Sequence, residues 1–272
     1  MDEAIPALNI AVLVKHVPDT QFDRHLSGGH NTTDRSESIL SELDEYALEA
    51  ALQLVEAQGG DGHRVMAVTM GPPAAVNAVK KALQIGAHEG IHLCDDALAG
   101  SDASGTSRAL AAVVRQLGPV DLVLTGMAST DGETSLVPAQ LAELLELPQV
   151  TFASTLELTH DDGARQLIAR RESDNVAETV RSTVPAVVSV TDQINEPRYP
   201  NFKGIMAAKK KPIATLSLAD VGLDASEVGF SGAWTRVEQA QQRPARSQGV
   251  IITDEGDAGR QLVDFLADQK LL

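Results

Sequence analysis

Cysteine is almost absent from this sequence, because Cys94 is the one cysteine in 272 residues. A single thiol excludes an internal disulfide and a metal site built from several thiolates, and we interpret Cys94 as a packing residue. Aromatic residues make up only 3% of the chain, which removes the stacking platforms that single-stranded nucleic acids require. Any redox chemistry must therefore come from a cofactor.

Basic residues and long apolar runs are also scarce. The chain has 22 Lys and Arg against 38 Asp and Glu, a formal net charge of -16 at pH 7, so phosphate repulsion excludes nucleic acid as the main partner. No apolar run approaches the roughly 20 residues of a membrane helix, and the N-terminus lacks the pattern of a signal peptide. We expect a cytoplasmic protein with no integral membrane segment and, at 43% hydrophobic residues, a substantial core.

The stretch from Asp121 to Leu147 predicts a strand, a polar turn and a helix. Apolar residues fill 122–125, and apolar residues from Val137 onward recur at helical spacing. The first N–H groups of such a helix lack internal partners and form an anion site. This turn is therefore typical of a nucleotide-binding loop, although an ordinary capped helix has the same features and the turn has no Walker lysine and no GxGxxG. The candidate caps are Ser129, Asp131 and Thr134.

The rest of the first half alternates between strands and helices. Residues 9–14, 63–69 and 89–93 predict strands, and Ser41 with Asp44 predicts the capped start of the helix that follows a polar excursion at 21–38. This alternation predicts a doubly wound parallel sheet. Ligands bind at the carboxyl ends of such strands, where the loops 15–19, 70–72 and 126–134 converge.

The second half of the chain changes character. Short segments between 155 and 180 predict an antiparallel hairpin insert, and 186–190 predicts a buried strand. Residues 191–211 are basic and carry apolar side chains, which favours a docking element over a solvated loop. We predict a nucleotide-binding domain at 1–212 and, at 213–272, an arm that wraps another surface; a disordered linker is the alternative.

Several motifs carry a resemblance to a known family. They are VKHVPD (Val14 to Asp19), MGPP (Met70 to Pro73), TGMASTDGETSLVP, ARRESDNVAETV (Ala169 to Val180) and NEPRYP followed by KGIMAAKKK. With them the chain resembles the electron transfer flavoprotein beta subunit family over nearly its whole length. The resemblance implies a Rossmann-like fold of the adenine nucleotide alpha hydrolase type. It also implies a subunit that holds a structural AMP, pairs with an FAD-carrying alpha subunit and has no catalytic site of its own.

The resemblance assigns a set of residues to the AMP site. Thr134, Ser135 and the backbone of 132–137 are expected to meet the phosphate, whereas Leu13 and Met70 flank the adenosine. The FAD belongs mainly to the alpha subunit, and this chain faces its isoalloxazine near Thr20 and Leu43. The cofactor-binding residues implied are Leu13, Ser41, Glu42, Leu43, Asp44, Met70, Gly126, Met127, Ala128, Ser129, Thr130, Asp131, Gly132, Glu133, Thr134, Ser135, Leu136 and Val137.

The resemblance also assigns residues to partner docking. Residues 195–206 match the recognition loop that anchors the carrier on a dehydrogenase, and Phe202 falls at the anchor position. Lys203 and Lys209 to Lys211 are expected to steer the partner, and Glu172 is expected to meet an arginine of the moving flavin domain. The docking residues implied are Tyr199, Phe202, Lys203, Ile205, Met206 and Glu172. The partners implied are acyl-CoA or related dehydrogenases and a quinone reductase or another acceptor.

Two alternatives belong to other classes of protein. An ATP-binding homodimer of the universal-stress type shares the predicted sheet and crevice. A small-molecule enzyme has no support, because no Ser-His-Asp set, metal cluster or convincing carboxylate pair is found. We interpret His16 as an ordinary loop histidine, with neither a metal nor a catalytic role.

Overall fold

A computed structural model of the chain describes residues 7–27, 32–59, 61–161, 164–241, 244 and 249–272. These residues form two compact units, the first ending at Gln239 and the second running from Ala240 to Leu272. Residues 28–31 of the predicted excursion lie outside the described residues.

The strands and helices are numbered in chain order. The strands are β1 (Asn9–Leu13), β2 (His16–Pro18), β3 (Leu26–Ser27), β4 (Thr32–Thr33), β5 (Ser38–Leu40), β6 (Arg64–Met70), β7 (Glu89–Leu93), β8 (Leu122–Gly126), β9 (Gln149–Asp161), β10 (Ala164–Ser173), β11 (Val176–Thr183), β12 (Ala186–Val190) and β13 (Ile213–Leu216). The helices are α1 (Glu42–Gln58), α2 (Val76–Ile85), α3 (Ala103–Gln116), α4 (Val137–Leu145), α5 (Phe202–Ala208), α6 (Gly229–Gly232) and α7 (Ala258–Asp268).

The main sheet confirms the predicted fold class. Within the described residues its nine strands follow the order β11-β10-β9-β12-β8-β1-β6-β7-β13. In this spatial order, all neighbouring strands between β9 and β13 pair in parallel. The strands β9, β10 and β11 pair antiparallel and form the predicted hairpins. The chain moves from β1 toward β6 and β7 and then returns to β8 on the other side. The switch point therefore lies between β1 and β8, where ligands bind in such sheets.

Two apolar layers cover the two faces of the sheet. Along β1, Ile10 and Val12 point into one layer with α1 and α2, whereas Ala11 and Leu13 point into the other with α3 and α4. This alternation is the period of two that a strand imposes. Because both faces are covered, the central strands read as continuous apolar runs rather than as alternating ones.

The first compact unit extends beyond residue 212, where the sequence analysis places the start of the arm. Ile213 to Leu216 form β13, which pairs with β7 at the edge of the sheet, and Leu218, Val221 and Val228 are buried. Four strand residues are too few to show a periodicity, so the sequence reading assigned them to the arm. The first unit thus continues to Gln239.

The second unit contains the amphipathic helix α7. Its side chains Leu262, Val263 and Phe265 are 51%, 53% and 43% exposed. No helix in the described ranges is long and apolar enough to cross a membrane.

Candidate functional site

A crevice of about 470 Å³ opens at the carboxyl ends of β1, β6 and β8. Its walls contain the three loops that the sequence predicts to converge there, with Leu13 and Met70 among the apolar lining. The volume lies within the range of about 300 to 1,000 Å³ that small-molecule sites occupy. The crevice therefore has the place and the size of a ligand site.

The loop between β8 and α4 has an unusual backbone. Glu133 and Ser135 have positive φ angles of 51° and 53°, and Leu136 returns to the right-handed region with φ -87° and ψ -29°. Successive left-handed and right-handed residues turn neighbouring N–H groups toward one point, which creates an anion-binding concavity. Within the described chain, the N–H groups of Thr134, Ser135 and Leu136 donate to no backbone or side-chain acceptor. They are available to an anionic group.

The predicted caps of α4 are wrong. Leu136 is the N-cap residue, and no side chain caps the helix, because the ten residues after β8 form a separate loop before α4 begins. Ser129 accepts a hydrogen bond from the Gly132 N–H at 3.2 Å instead. Thr134 lines the crevice.

Asp131 joins two basic side chains across this loop. Its carboxylate lies 2.7 Å from the Lys15 ammonium and also accepts a hydrogen bond from the Arg35 guanidinium. Only 4% of the Asp131 side chain is exposed. Burial acts to raise the pKa of Asp131, but the charges and hydrogen bonds of Lys15 and Arg35 outweigh it and hold the pKa well below its usual range.

Arg35 connects the excursion to the crevice. Besides its pair with Asp131, it donates to the His16 carbonyl at 2.9 Å. Arg24 from the same excursion donates to the Thr130 carbonyl at 2.6 Å. The polar excursion therefore holds the 127–136 loop in place, and Lys15 and Arg35 bring positive charge to the crevice wall.

The predicted capping box at the start of α1 is also wrong. The Ser41 hydroxyl caps no N–H group and has no hydrogen-bond partner among the described residues. Asp44 instead accepts the Lys15 N–H at 2.8 Å, because its carboxylate points across to β1 and β8. A Cβ atom on Gly126 would lie 2.7 Å from the Leu43 carbonyl oxygen and 2.8 Å from an Asp44 oxygen, so this close approach requires glycine.

Burial raises the pKa of Asp44 to about 7. Because this pKa lies above that of the unfolded chain, the folded state holds the proton more tightly, and the contribution of Asp44 to stability falls as pH rises from about 4 to 7. The amide oxygen of Asp44→Asn can still accept the Lys15 N–H, so the substitution is expected to cost less than about 1 kcal/mol at low pH. It should also flatten the pH dependence of the free energy of unfolding by up to about 1.4 kcal/mol per pH unit. Urea unfolding of the variant and the parent at pH 5, 6 and 7 measures this; parallel pH profiles would contradict it.

His16 differs from the predicted loop histidine. It lies in β2, which pairs with β5, and it is 7% exposed. Desolvation lowers its pKa, and its Nδ1 atom has no hydrogen-bond partner among the described residues. The short pairing with β5 explains the difference, because β5 lies beyond the excursion and its register cannot be read from the sequence.

The structure brings only part of the predicted cofactor set to the crevice. The predicted residues in its lining are Leu13, Asp44, Met70, Gly126, Ala128, Ser129, Thr134, Ser135 and Val137. The predicted residues outside that lining are Ser41, Glu42, Leu43, Met127, Thr130, Asp131, Gly132, Glu133 and Leu136. Asp131 is outside the lining but pairs with Lys15 and Arg35, which are part of it. The Leu43 carbonyl lies close to Gly126.

Sequence reasoning missed one wall of the crevice. Residues 95, 96 and 98–101, which follow β7, line it together with Arg35 and Pro138. The signal was present for the first of these, because β7 is a parallel strand whose carboxyl end faces the same edge. Arg35 carries no such signal, since it lies in an irregular segment.

Among the described residues, no group of three His, Cys, Asp or Glu side chains could hold a metal ion.

A second surface lies on residues 197–211, which we call the docking segment. Tyr199 and Phe202 are 92% and 81% exposed, and Ile205 and Met206 are also exposed. The sequence predicts an exposed loop here, but residues 202–208 form α5, capped by Asn201, whose side chain accepts the Gly204 N–H at 2.8 Å. Lys203 is exposed.

Glu172 lies near the end of β10, away from α5 in the chain. Its carboxylate is 2.5 Å from the Arg170 guanidinium, and the two side chains are 40% and 52% exposed. Such a pair contributes little to stability, about 0 to 1 kcal/mol. Glu172 can therefore exchange this arginine for another at small cost.

Fold and site together define a doubly wound α/β protein with a ligand-sized crevice at its switch point. Residues 31–221 match the family model described as the electron transfer flavoprotein domain. The chain is also 44% identical over 268 residues to the electron transfer flavoprotein subunit beta of Mycobacterium leprae (strain TN), which covers 97% of this chain and 99% of the relative. The chain therefore belongs to the electron transfer flavoprotein beta subunit family.

More distant relatives are similar over almost the same length. The electron transfer flavoprotein subunit beta of Thermoanaerobacterium thermosaccharolyticum is 34% identical, with 97% of this chain and 100% of the relative covered. The Caffeyl-CoA reductase-Etf complex subunit CarD of Acetobacterium woodii is 33% identical, with 90% of this chain and 92% of the relative covered. The predicted family is thus confirmed.

Proposed function

We propose that this chain is the beta subunit of a heterodimeric electron transfer flavoprotein that holds AMP as a structural nucleotide. The observation that carries the proposal is the full-length similarity to beta subunits of such carriers, joined to a crevice whose chemistry suits a nucleotide monophosphate. That similarity favours a carrier over an ATP-binding homodimer of the universal-stress type.

The crevice offers each part of AMP a matching environment. The free N–H groups of Thr134, Ser135 and Leu136 suit the phosphate, with Lys15 and Arg35 supplying positive charge. Leu13 and Met70 supply apolar walls for the adenine. The AMP has a structural role in this proposal, because a ligand that binds only the folded state stabilises that state.

The redox centre belongs to the other subunit. We propose that the alpha subunit holds the FAD, which supplies the electron-accepting chemistry, and that the isoalloxazine lies near Thr20 and Leu43 of this chain. Helix α7, in the arm, exposes apolar side chains. Because burying these side chains against a partner is favourable, they favour a role for the arm in holding the alpha subunit. In this proposal the chain is a scaffold without a catalytic site.

The docking segment is proposed to receive an acyl-CoA dehydrogenase or a related dehydrogenase. Phe202 and its exposed apolar neighbours supply the anchor, and Glu172 biases the position of the flavin domain. The electrons then pass to a quinone reductase or another acceptor. An exposed aromatic side chain on a helix is the kind of residue that dominates binding energy once a partner pocket covers it.

The nucleotide content of the purified heterodimer tests the AMP assignment. Denaturation with acid is expected to release one AMP and one FAD per heterodimer, measured by chromatography against standards of AMP, ADP, ATP and FAD. Release of two FAD and no AMP would show that the crevice holds a second flavin. ATP in place of AMP would contradict the AMP assignment.

A further inference from the structure

Helix α5 is too short to be ordered by itself. It has seven residues, none of them buried, and isolated helices shorter than about 12 to 15 residues are marginal in water. Its order in the free subunit must therefore come from contacts at its two ends and along its backbone.

Arg198 holds the N-terminal side of the docking segment on α1. Its guanidinium lies 2.7 Å from the Glu49 carboxylate and 2.6 Å from the Glu56 carboxylate. Glu49 is 3% exposed, so the pair is partly removed from water. Hydrogen bonds that the guanidinium donates to the Glu56 and Glu49 carboxylates raise the pKa of Arg198, and the planar fork fixes the position of residue 198 against α1.

Lys211 holds the C-terminal side on α2. Its ammonium donates to the carbonyls of Leu83, Gly86 and Ala87 at 3.0, 3.3 and 2.5 Å. The last carbonyls of a helix lack internal partners and carry partial negative charge, which a lysine neutralises. Burial lowers the pKa of Lys211. The Lys211 ammonium therefore lies against the end of α2, whereas its predicted part in steering a partner stays a prediction.

Between these ends, the backbone of α5 contacts α2 directly. A Cβ atom on Gly204 would lie 2.7 Å from the Gln84 carbonyl oxygen, so the helix approaches as closely as glycine allows. By contrast, the neighbouring basic residues Lys203, Lys209 and Lys210 are exposed. Of the four lysines of the docking segment, Lys211 thus contacts α2 and the other three face solvent.

We propose that Lys211 is a positioning residue for dehydrogenase docking, which fixes α5 on the end of α2 so that Phe202 is presented in one orientation before the partner arrives. Arg198 does the same from the other side. The inference rests on the proposed docking function. Its physical basis is that a preordered anchor avoids the entropy cost of ordering a loop during association.

Two methionine variants of the alpha-beta heterodimer separate anchoring from steering. Lys211→Met and Lys210→Met remove the same charge from adjacent positions, but only the first removes hydrogen bonds to α2. Hydrogen exchange of residues 200–210, followed by mass spectrometry, is expected to be faster by roughly tenfold or more in Lys211→Met and unchanged in Lys210→Met. The KM for an acyl-CoA dehydrogenase, reduced by its acyl-CoA substrate and used as the probe, is expected to rise in Lys211→Met with kcat unchanged.

Arg198→Lys provides a second variant that keeps the charge and loses the fork. It is expected to speed exchange of residues 200–210 less than Lys211→Met does, while the melting temperature of the heterodimer shows that each variant is folded. Equal exchange and equal KM for the two methionine variants would overturn the inference, as would faster exchange with an unchanged KM. Phe202→Ala reports separately on the docking function, because it removes the anchor and leaves the hydrogen bonds of Lys211 intact.

Discussion

Phe202→Ala is expected to raise the KM for a reduced acyl-CoA dehydrogenase by about thirtyfold, the effect of losing a binding residue that contributes about 2 kcal/mol. Phe202 is 81% exposed in the free subunit, so its truncation removes little packing within the fold. Its aromatic ring carries the largest apolar area on α5, and that area leaves water only when a partner covers it. The loss should therefore appear in association with the partner and not in folding. Steady-state electron transfer to a dye, with the dehydrogenase varied, measures it.

Val176→Ala is the matched control for this prediction. Val176 is 55% exposed and lies at the start of β11, so it is another apolar surface side chain of the same unit. The KM of the Val176→Ala heterodimer for the dehydrogenase is expected to equal that of the parent. Both variants should retain their FAD and their melting temperature. An unchanged KM for Phe202→Ala would remove Phe202 from the docking surface.

Helix α1 connects the crevice and the docking segment. Its first turn carries Asp44, which meets the backbone of Lys15 beside the crevice, and its later turns carry Glu49 and Glu56, which hold Arg198. Both surfaces are thus mounted on one rigid element that packs on the sheet. Under the proposed function, this arrangement orients the dehydrogenase relative to the same scaffold that holds the nucleotide.

Local patterns in the sequence predicted the elements of the sheet well. The strand at 89–93 has the predicted bounds, and the strand predicted at 122–125 is longer by one residue. Both could be predicted because buried parallel strands are continuous apolar runs between clear turn residues. Motifs without periodicity were harder to interpret. β13 has four residues and joins the sheet through long-range pairing that no local pattern encodes.

Side-chain partners at the crevice were less predictable than its position. Parallel topology alone places the ends of β1, β6 and β8 together, so the predicted convergence of their loops needs no further information. By contrast, Arg35 and Asp131 are 96 residues apart in sequence, and their pairing depends on how the excursion folds back. Ser41 and Asp44 fit the sequence pattern of a capping box, but the buried Asp44 carboxylate accepts the Lys15 N–H instead.

Asp131→Asn is expected to destabilise the heterodimer by about 2 kcal/mol and to reduce the AMP that it retains on purification. Asparagine has no charge and one acceptor oxygen, so Lys15 and Arg35 lose their common partner. Removing one member of a buried ion pair costs about 3 to 5 kcal/mol. We expect a cost below this range because the Lys15 and Arg35 side chains are 41% and 31% exposed and can turn to water. Chemical unfolding and the AMP to protein ratio measure the two effects.

Two opposing consequences of this substitution make its effect on AMP informative. Freed Lys15 and Arg35 charges would attract a phosphate more strongly, whereas a loop without its Asp131 contacts would lose the backbone conformation of Glu133 and Ser135. Backbone strain persists only where surrounding contacts hold it, so loss of AMP is expected if the N–H groups hold the phosphate. Tighter AMP binding by the variant would show that the basic side chains hold it instead.

Glu133→Gln is the control, because it removes the same charge from the same loop. The Glu133 side chain is 71% exposed and 3.9 Å from Arg24, so stability should change by less than about 0.5 kcal/mol.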